Sequence, residues 1–155
     1  MTSTPEQRLA QLGLVLPPVA APRGNFDAWV LDGSTLYLSG KGAPLRENPA
    51  LIPKVGRELS AEEARARAHD IGLNLIATMK AALGELSRVR RVVKVLGMVN
   101  AVPDFTGHTE VINGCSDLLV QVFGDAGRHA RSAVGVGSLP RGFAVEIEAI
   151  VSVTG

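Results

Sequence analysis

The sequence predicts an α+β domain, with two helices packed on one face of a mostly antiparallel mixed sheet. Three observations predict it. Periodic segments follow one another in the order hairpin, helix, strand, helix, hairpin. From Ser60 to Gly84 apolar residues recur every three or four positions, the spacing of one helical stripe. From Val145 to Val151 they recur every second position, the spacing of one face of a strand. A sheet with one apolar face needs cover, and striped helices provide it. A chain of 155 residues is long enough to bury such a core as one domain.

Residues 1–18 read as an N-terminal extension and 19–155 as the domain. In the extension, Gln7-Arg8-Leu9-Ala10-Gln11-Leu12 suits one or two helical turns, and Gly13, Pro17 and Pro18 allow little more. Phe26 to Gly40 reads as a hairpin. Trp29-Val30-Leu31 and Leu36-Tyr37-Leu38 are strand-forming, and Asp32-Gly33-Ser34 between them has turn chemistry. Residues 41–59 read as a loop with a short strand at Leu51-Ile52. Ser60-Ala61-Glu62-Glu63 has the capping-box pattern, a hydroxyl at the cap and a carboxylate three residues on. The helix it opens carries Ala64, Ala68, Ile71, Leu75, Met79 and Ala82 on one stripe and stops at Gly84. Val89 to Val102 reads as a strand ended by Pro103. Residues 106–123 read as a second helix with Val111, Leu118, Leu119, Val122 and Phe123 on its apolar side, against the turn signal of Asn113-Gly114. Arg131–Leu139 and Phe143–Val153 read as a long hairpin about Pro140-Arg141-Gly142.

In that hairpin, alternation sets Val145, Ile147, Ala149 and Val151 on one face with Val134 and Val136. Glu146, Glu148, Arg131, Ala133, Gly135 and Gly137 then share the other. Such small residues on a charged face indicate close approach of a neighbouring subunit or a small ligand. With the turn at Pro140-Arg141, Arg131 pairs near Ile150, and Glu146 lies about 13 Å away along the strand. A site that uses both residues then draws them from two subunits.

With 16 basic and 15 acidic residues the net charge is +1, a balance that does not mark a nucleic-acid binder. The basic cluster of Arg88, Arg90, Arg91 and Lys94 has no interleaved aromatics and reads as a solvated strand end. No apolar run reaches the roughly 18 to 20 residues of a membrane span. The N-terminus lacks a signal-peptide pattern, and the single cysteine, Cys115, reads as a small buried hydrophobe. The expectation is a cytoplasmic protein that neither enters a membrane nor binds nucleic acid. His69, His108 and His129 are too scattered for a metal motif, and Gly135-Val136-Gly137 lacks the third glycine of a dinucleotide fingerprint.

The run Arg128-His129-Ala130-Arg131-Ser132-Ala133-Val134-Gly135, then Leu139-Pro140 and Val145-Glu146-Ile147-Glu148-Ala149-Ile150, resembles the C-terminal signature of the RidA/YjgF family. Leu36-Tyr37-Leu38-Ser39-Gly40 resembles its early strand and turn, and Pro103-Asp104-Phe105 with Val111-Ile112-Asn113 its central motif. The likeness covers about residues 19–153. It implies a chorismate-mutase-like domain, homotrimers with clefts between subunits, and hydrolysis of small 2-imino or enamine acids to 2-keto acids and ammonia. No cofactor and no metal are implied.

By position, the resemblance implies that Arg131 holds the substrate carboxylate, which the planar guanidinium fork matches bidentately. It implies that Glu146 activates the attacking water. Asn113, Ser39, Gly40 and the Ala133 carbonyl match groups lining the cleft, and Phe26 falls near the place of a tyrosine. Ala133 stands where the best-known members carry a cysteine, Phe26 lacks the phenol, and about four extra residues separate Phe105 from Asn113. These departures bear on substrate identity and on the approach to the cleft. Two other functions stand beside this one. A non-catalytic binder of small carboxylates needs Arg131 but not Glu146 as a base. An endoribonuclease or translation inhibitor is disfavoured by the near-neutral charge. A structural ion pair at a subunit interface is the plain alternative for both residues.

Overall fold

The computed structural model describes residues 2–43 and 52–155. Leu51 lies outside them, and Ile52 is not part of a strand. Helix α1 (Pro5–Gln11) is opened by Thr4, whose hydroxyl accepts from the Gln7 N–H while the Gln7 amide oxygen accepts from the Thr4 N–H. Strands β1 (Trp29–Asp32) and β2 (Thr35–Gly42) form the expected hairpin, with Gly33 in the left-handed conformation of its turn. Helix α2 (Ala61–Leu83) has the reciprocal cap between Ser60 and Glu63 and ends at Gly84. Strand β3 (Val89–Asn100), helix α3 (His108–Phe123), and strands β4 (Ala130–Val136) and β5 (Val145–Val153) follow.

Among the described residues the sheet has five strands in the order β1-β2-β5-β3-β4. Every neighbouring pair is antiparallel except β3 and β4, which are parallel. The C-terminal hairpin is therefore not formed, because β3 lies between β4 and β5. The physical reason is the β3-α3-β4 unit: a helical crossover returns the chain parallel to the strand it left. The segment between β4 and β5 then steps over β3, roughly 10 Å for two strand spacings. A short turn at Pro140–Gly142, with Arg141 left-handed at φ 56°, carries the step.

This insertion inverts the expected facing of β4. Arg131, Ala133 and Gly135 stand opposite Val95, Gly97 and Val99. Those three β3 residues are buried and face the helices. Val134 instead joins Met98 and Glu146 on the open face. Arg131 does not pair near Ile150: its partner is Val95, which in turn faces Ala149.

Helices α2 and α3 cover the inner face, where Ile71, Leu75, Met79, Ile112 and Leu119 meet Leu36, Val92, Val95, Ile147 and Val151 in one core. Gly114 resolves the conflict between helix and turn signals. Helix α2 passes so near that a Cβ at this position would lie 2.2 Å from the Arg65 carbonyl oxygen. The glycine makes room for a helix crossing and marks no turn. Among the described residues, no helix is long and apolar enough to cross a membrane.

Candidate functional site

β4 is an edge strand, so its inward side chains meet α3 at the margin of the core. Thr109, Asn113 and Ser116, spaced four and three residues apart, lie on one stripe of α3. That stripe receives the Arg131 guanidinium. Nη1 donates to Asn113 Oδ1 at 2.8 Å and to Ser116 Oγ at 3.0 Å. Nη2 makes only a long contact, 3.4 Å, to the Thr109 carbonyl. Both Nη1 protons are thereby used. The Nε–Nη2 edge, the other bidentate edge of a guanidinium, is left for an incoming group.

Ser116 Oγ also lies 2.9 Å from His129 Nε2, and His129 Nδ1 lies 2.6 Å from the Gly127 carbonyl oxygen. A carbonyl can only accept, so Nδ1 carries the proton and Nε2 accepts from the serine hydroxyl. Burial pushes the His129 pKa down; the Gly127 hydrogen bond opposes this, and the Arg131 charge adds to it. The balance favours the neutral imidazole. Close by, Gly135 leaves space for His108: a Cβ there would lie 2.6 Å from its Nε2. Phe105 stands edge-on to His108 at 5.1 Å. Arg131, Asn113 and Ala133 thus share this margin with Ser116, His129 and His108.

Glu146 is elsewhere. It lies on the open face of β5, where a Cβ on Gly40 would be 3.0 Å from its Oε2. Burial, and after it the Glu148 charge, raises its pKa above the ordinary carboxylate value. Ser39 Oγ donates to the Asp27 carbonyl at 2.6 Å. Phe26 is exposed, with its ring against Gly24. Strands β5 and β3 separate Ser39 and Gly40, both in β2, from β4. By register, Arg131 and Glu146 are three residues and two strands apart, about 14 Å between Cα atoms. They are on opposite faces of the sheet, not on the shared face that a hairpin predicts.

Sequence reasoning missed Ser116 and gave His129 no partner. The signal for Ser116 was its position three residues after Asn113 on one helix, which places both on the same side. The basic cluster is largely committed. Arg88 donates to the Leu83 and Thr154 carbonyls, Arg91 to the Arg128 carbonyl, and Lys94 to Ser132 Oγ. Cys115 is buried, and that burial pushes its thiol up to about 12. It is no nucleophile.

Residues 6–143 match a family model described as "YjgF/chorismate mutase-like, putative endoribonuclease". The match includes Arg131 and ends before β5 and Glu146. "Protein TCP17" of Trypanosoma cruzi is 44% identical over 144 residues, which are 92% of this chain and 90% of that protein. The solved structure of Atu1372, a protein of unknown function from Agrobacterium tumefaciens, is 42% identical with a TM-score of 0.86, covering 97% of this chain and 92% of that one. A protein from Shewanella oneidensis described as "a putative endoribonuclease" is 33% identical with a TM-score of 0.90, covering 97% of this chain and 100% of that one.

Proposed function

Since this chain belongs to the YjgF/RidA family, we propose that it hydrolyses small 2-imino and enamine acids to 2-keto acids and ammonia, at clefts between the subunits of a homotrimer. The observation that carries this reading is Arg131. Its Nη1 is fixed on Asn113 and Ser116, and its Nε–Nη2 edge has no short bond among the described residues. A fork held in this way is suited to a planar carboxylate.

With the carboxylate held there, an enamine takes a proton on its β-carbon and gives one up from nitrogen, and water adds to the imine carbon so formed. Its oxygen forms the new C–O bond, and the C=N π pair takes up a proton on nitrogen. The resulting carbinolamine collapses: nitrogen leaves with a further proton as ammonia, and the hydroxyl gives up its proton as the C=O forms. Glu146 moves the protons between water and nitrogen. A carboxyl whose pKa is raised by burial and by Glu148 accepts and returns a proton more readily near neutral pH. Glu146 of the same chain is on the wrong face for this, so the group comes from a neighbouring copy. Val30, Tyr37 and Val134, large apolar side chains exposed on or beside the open face, support such an assembly.

The test is ammonia release from 2-aminocrotonate or 2-aminoacrylate generated in situ. The parent protein accelerates it. Arg131→Ala lowers kcat/KM at least about a hundredfold, the usual cost of truncating one side of a hydrogen-bonded charge pair. Light scattering should show the oligomer intact. An Arg131→Ala protein as active as the parent ends the assignment. The opposed faces of Arg131 and Glu146 favour one second reading, a carboxylate binder that uses Arg131 alone. It predicts binding of 2-ketobutyrate with no turnover of any imine. An endoribonuclease would need a strongly cationic surface, and the chain's net charge is only +1.

A further inference from the structure

We propose that His129 is a positioning residue: through the Ser116 hydroxyl, it holds the Arg131 guanidinium in the orientation that presents its Nε–Nη2 edge to a carboxylate. This rests on the reading of Arg131 given above and assigns work to His129, a side chain that reading leaves idle.

The direction of every bond in the chain follows from its far end. His129 Nδ1 donates to the Gly127 carbonyl, at 2.6 Å, and in the neutral ring this leaves the lone pair on Nε2. The Ser116 hydroxyl therefore points its hydrogen at Nε2, at 2.9 Å. Its oxygen lone pairs are left for Arg131 Nη1, at 3.0 Å. A serine inside a helix otherwise turns its hydroxyl toward the carbonyl of the preceding turn. His129 removes that freedom.

The second Nη1 proton goes to Asn113 Oδ1 at 2.8 Å, one turn earlier on α3. One acceptor would leave the planar group free to swing about the bond it makes. Two acceptors, on successive turns of one helix, fix its plane. Arg131 needs this because it sits on an edge strand and is only half-buried. A long side chain that is ordered before binding loses less freedom when the ligand arrives. His129 touches no ligand in this scheme; its effect passes wholly through Ser116.

Two readouts test the proposal. The first is nitrogen-15 NMR of the guanidinium in the unliganded protein. In the parent, rotation about the Arg131 Cζ–Nη1 bond is hindered. It becomes free in Ser116→Ala and in His129→Leu. It stays hindered in His129→Gln, whose amide oxygen accepts near the place of Nε2. The second is calorimetric affinity for 2-ketobutyrate. Ser116→Ala and His129→Leu weaken it about tenfold, the double substitution weakens it no further, and His129→Gln stays within about twofold of the parent. In turnover, the same variants raise KM and leave kcat nearly unchanged. Parent-like hindrance in His129→Leu overturns the proposal, as does a His129→Gln protein no better than His129→Leu. Parent-like binding by Arg131→Ala overturns the carboxylate reading instead, a result distinct from any change in the guanidinium signal.

Discussion

On the inner face of the sheet, Arg131 sits among acceptors supplied by its own chain; on the open face, Glu146 sits beside a second carboxylate. The inner network runs from Asn113 and Ser116 to His129 and closes on the Gly127 carbonyl. On the open face both causes acting on Glu146, desolvation and then Glu148, disfavour its charge. Val30, Tyr37 and Val134 are exposed there or beside it. One protomer can order a guanidinium by itself. It leaves the carboxylate and its apolar surroundings in a state that a second surface would improve.

The largest effect is expected where the inner face has no slack. A Cβ on Gly114 would stand 2.2 Å from a backbone oxygen of α2, and backbone cannot swing aside as a side chain can. Gly114→Ala should lower stability by about 3 kcal/mol by forcing the helices apart. Because Asn113 is the adjacent residue, the Arg131 network should loosen with it. Denaturant unfolding measures the loss. A variant within about 0.5 kcal/mol of the parent would mean that the crossing yields easily and that the inner face is not the rigid half.

The same experiment on the open face should give the opposite division of effects. Val134 is exposed in the protomer and stands in line with Met98 and Glu146. Val134→Asp should change protomer stability by no more than about 0.5 kcal/mol. It should, however, dissociate the proposed trimer, because a charge would be buried at its contact. Light scattering and sedimentation read the outcome. An oligomer that survives the substitution shows that this face is not the interface.

The contrast between the faces was only half legible in the sequence. The elements were readable because each carried its own local signal: the Ser60–Glu63 cap, the Gly33 turn, and the alternation of β5. The inward set of β5 followed from that alternation and stands as expected. The placement of β4 was not readable, because strand order is a long-range property. Consecutive strands joined by a short Pro-Gly segment usually pair, whereas here β3 takes the place between them. One wrong neighbour was enough to change the facing of every β4 residue. For the same reason Arg131 and Glu146 were individually visible while their separation onto opposite faces was not. Ser116 was hidden differently: a single serine in a helix announces nothing until its turn is known to face an arginine.

The smallest expected effect decides whether the open face is completed by another copy. The Glu146 carboxyl binds its proton more tightly in the folded protein than at the ordinary value of 4.5. Between the two values the folded state holds more protons than the unfolded one, so stability falls as pH rises through that interval. The cost is absent below about pH 4.5 and complete above the folded pKa. Glu146→Gln should therefore stabilise the protein at pH 7, by well under about 1 kcal/mol given solvent screening of a half-exposed group. At pH 4 it should do nothing. The measurement is sharpest when made twice, in the parent and in the Val134→Asp background. Separated protomers should show the whole gain. In the assembly, a partner group that pairs with Glu146 should shrink it or reverse its sign. Equal gains in both backgrounds would mean that Glu146 meets no complementary group when the subunits associate, and Arg131 would then have to act without it.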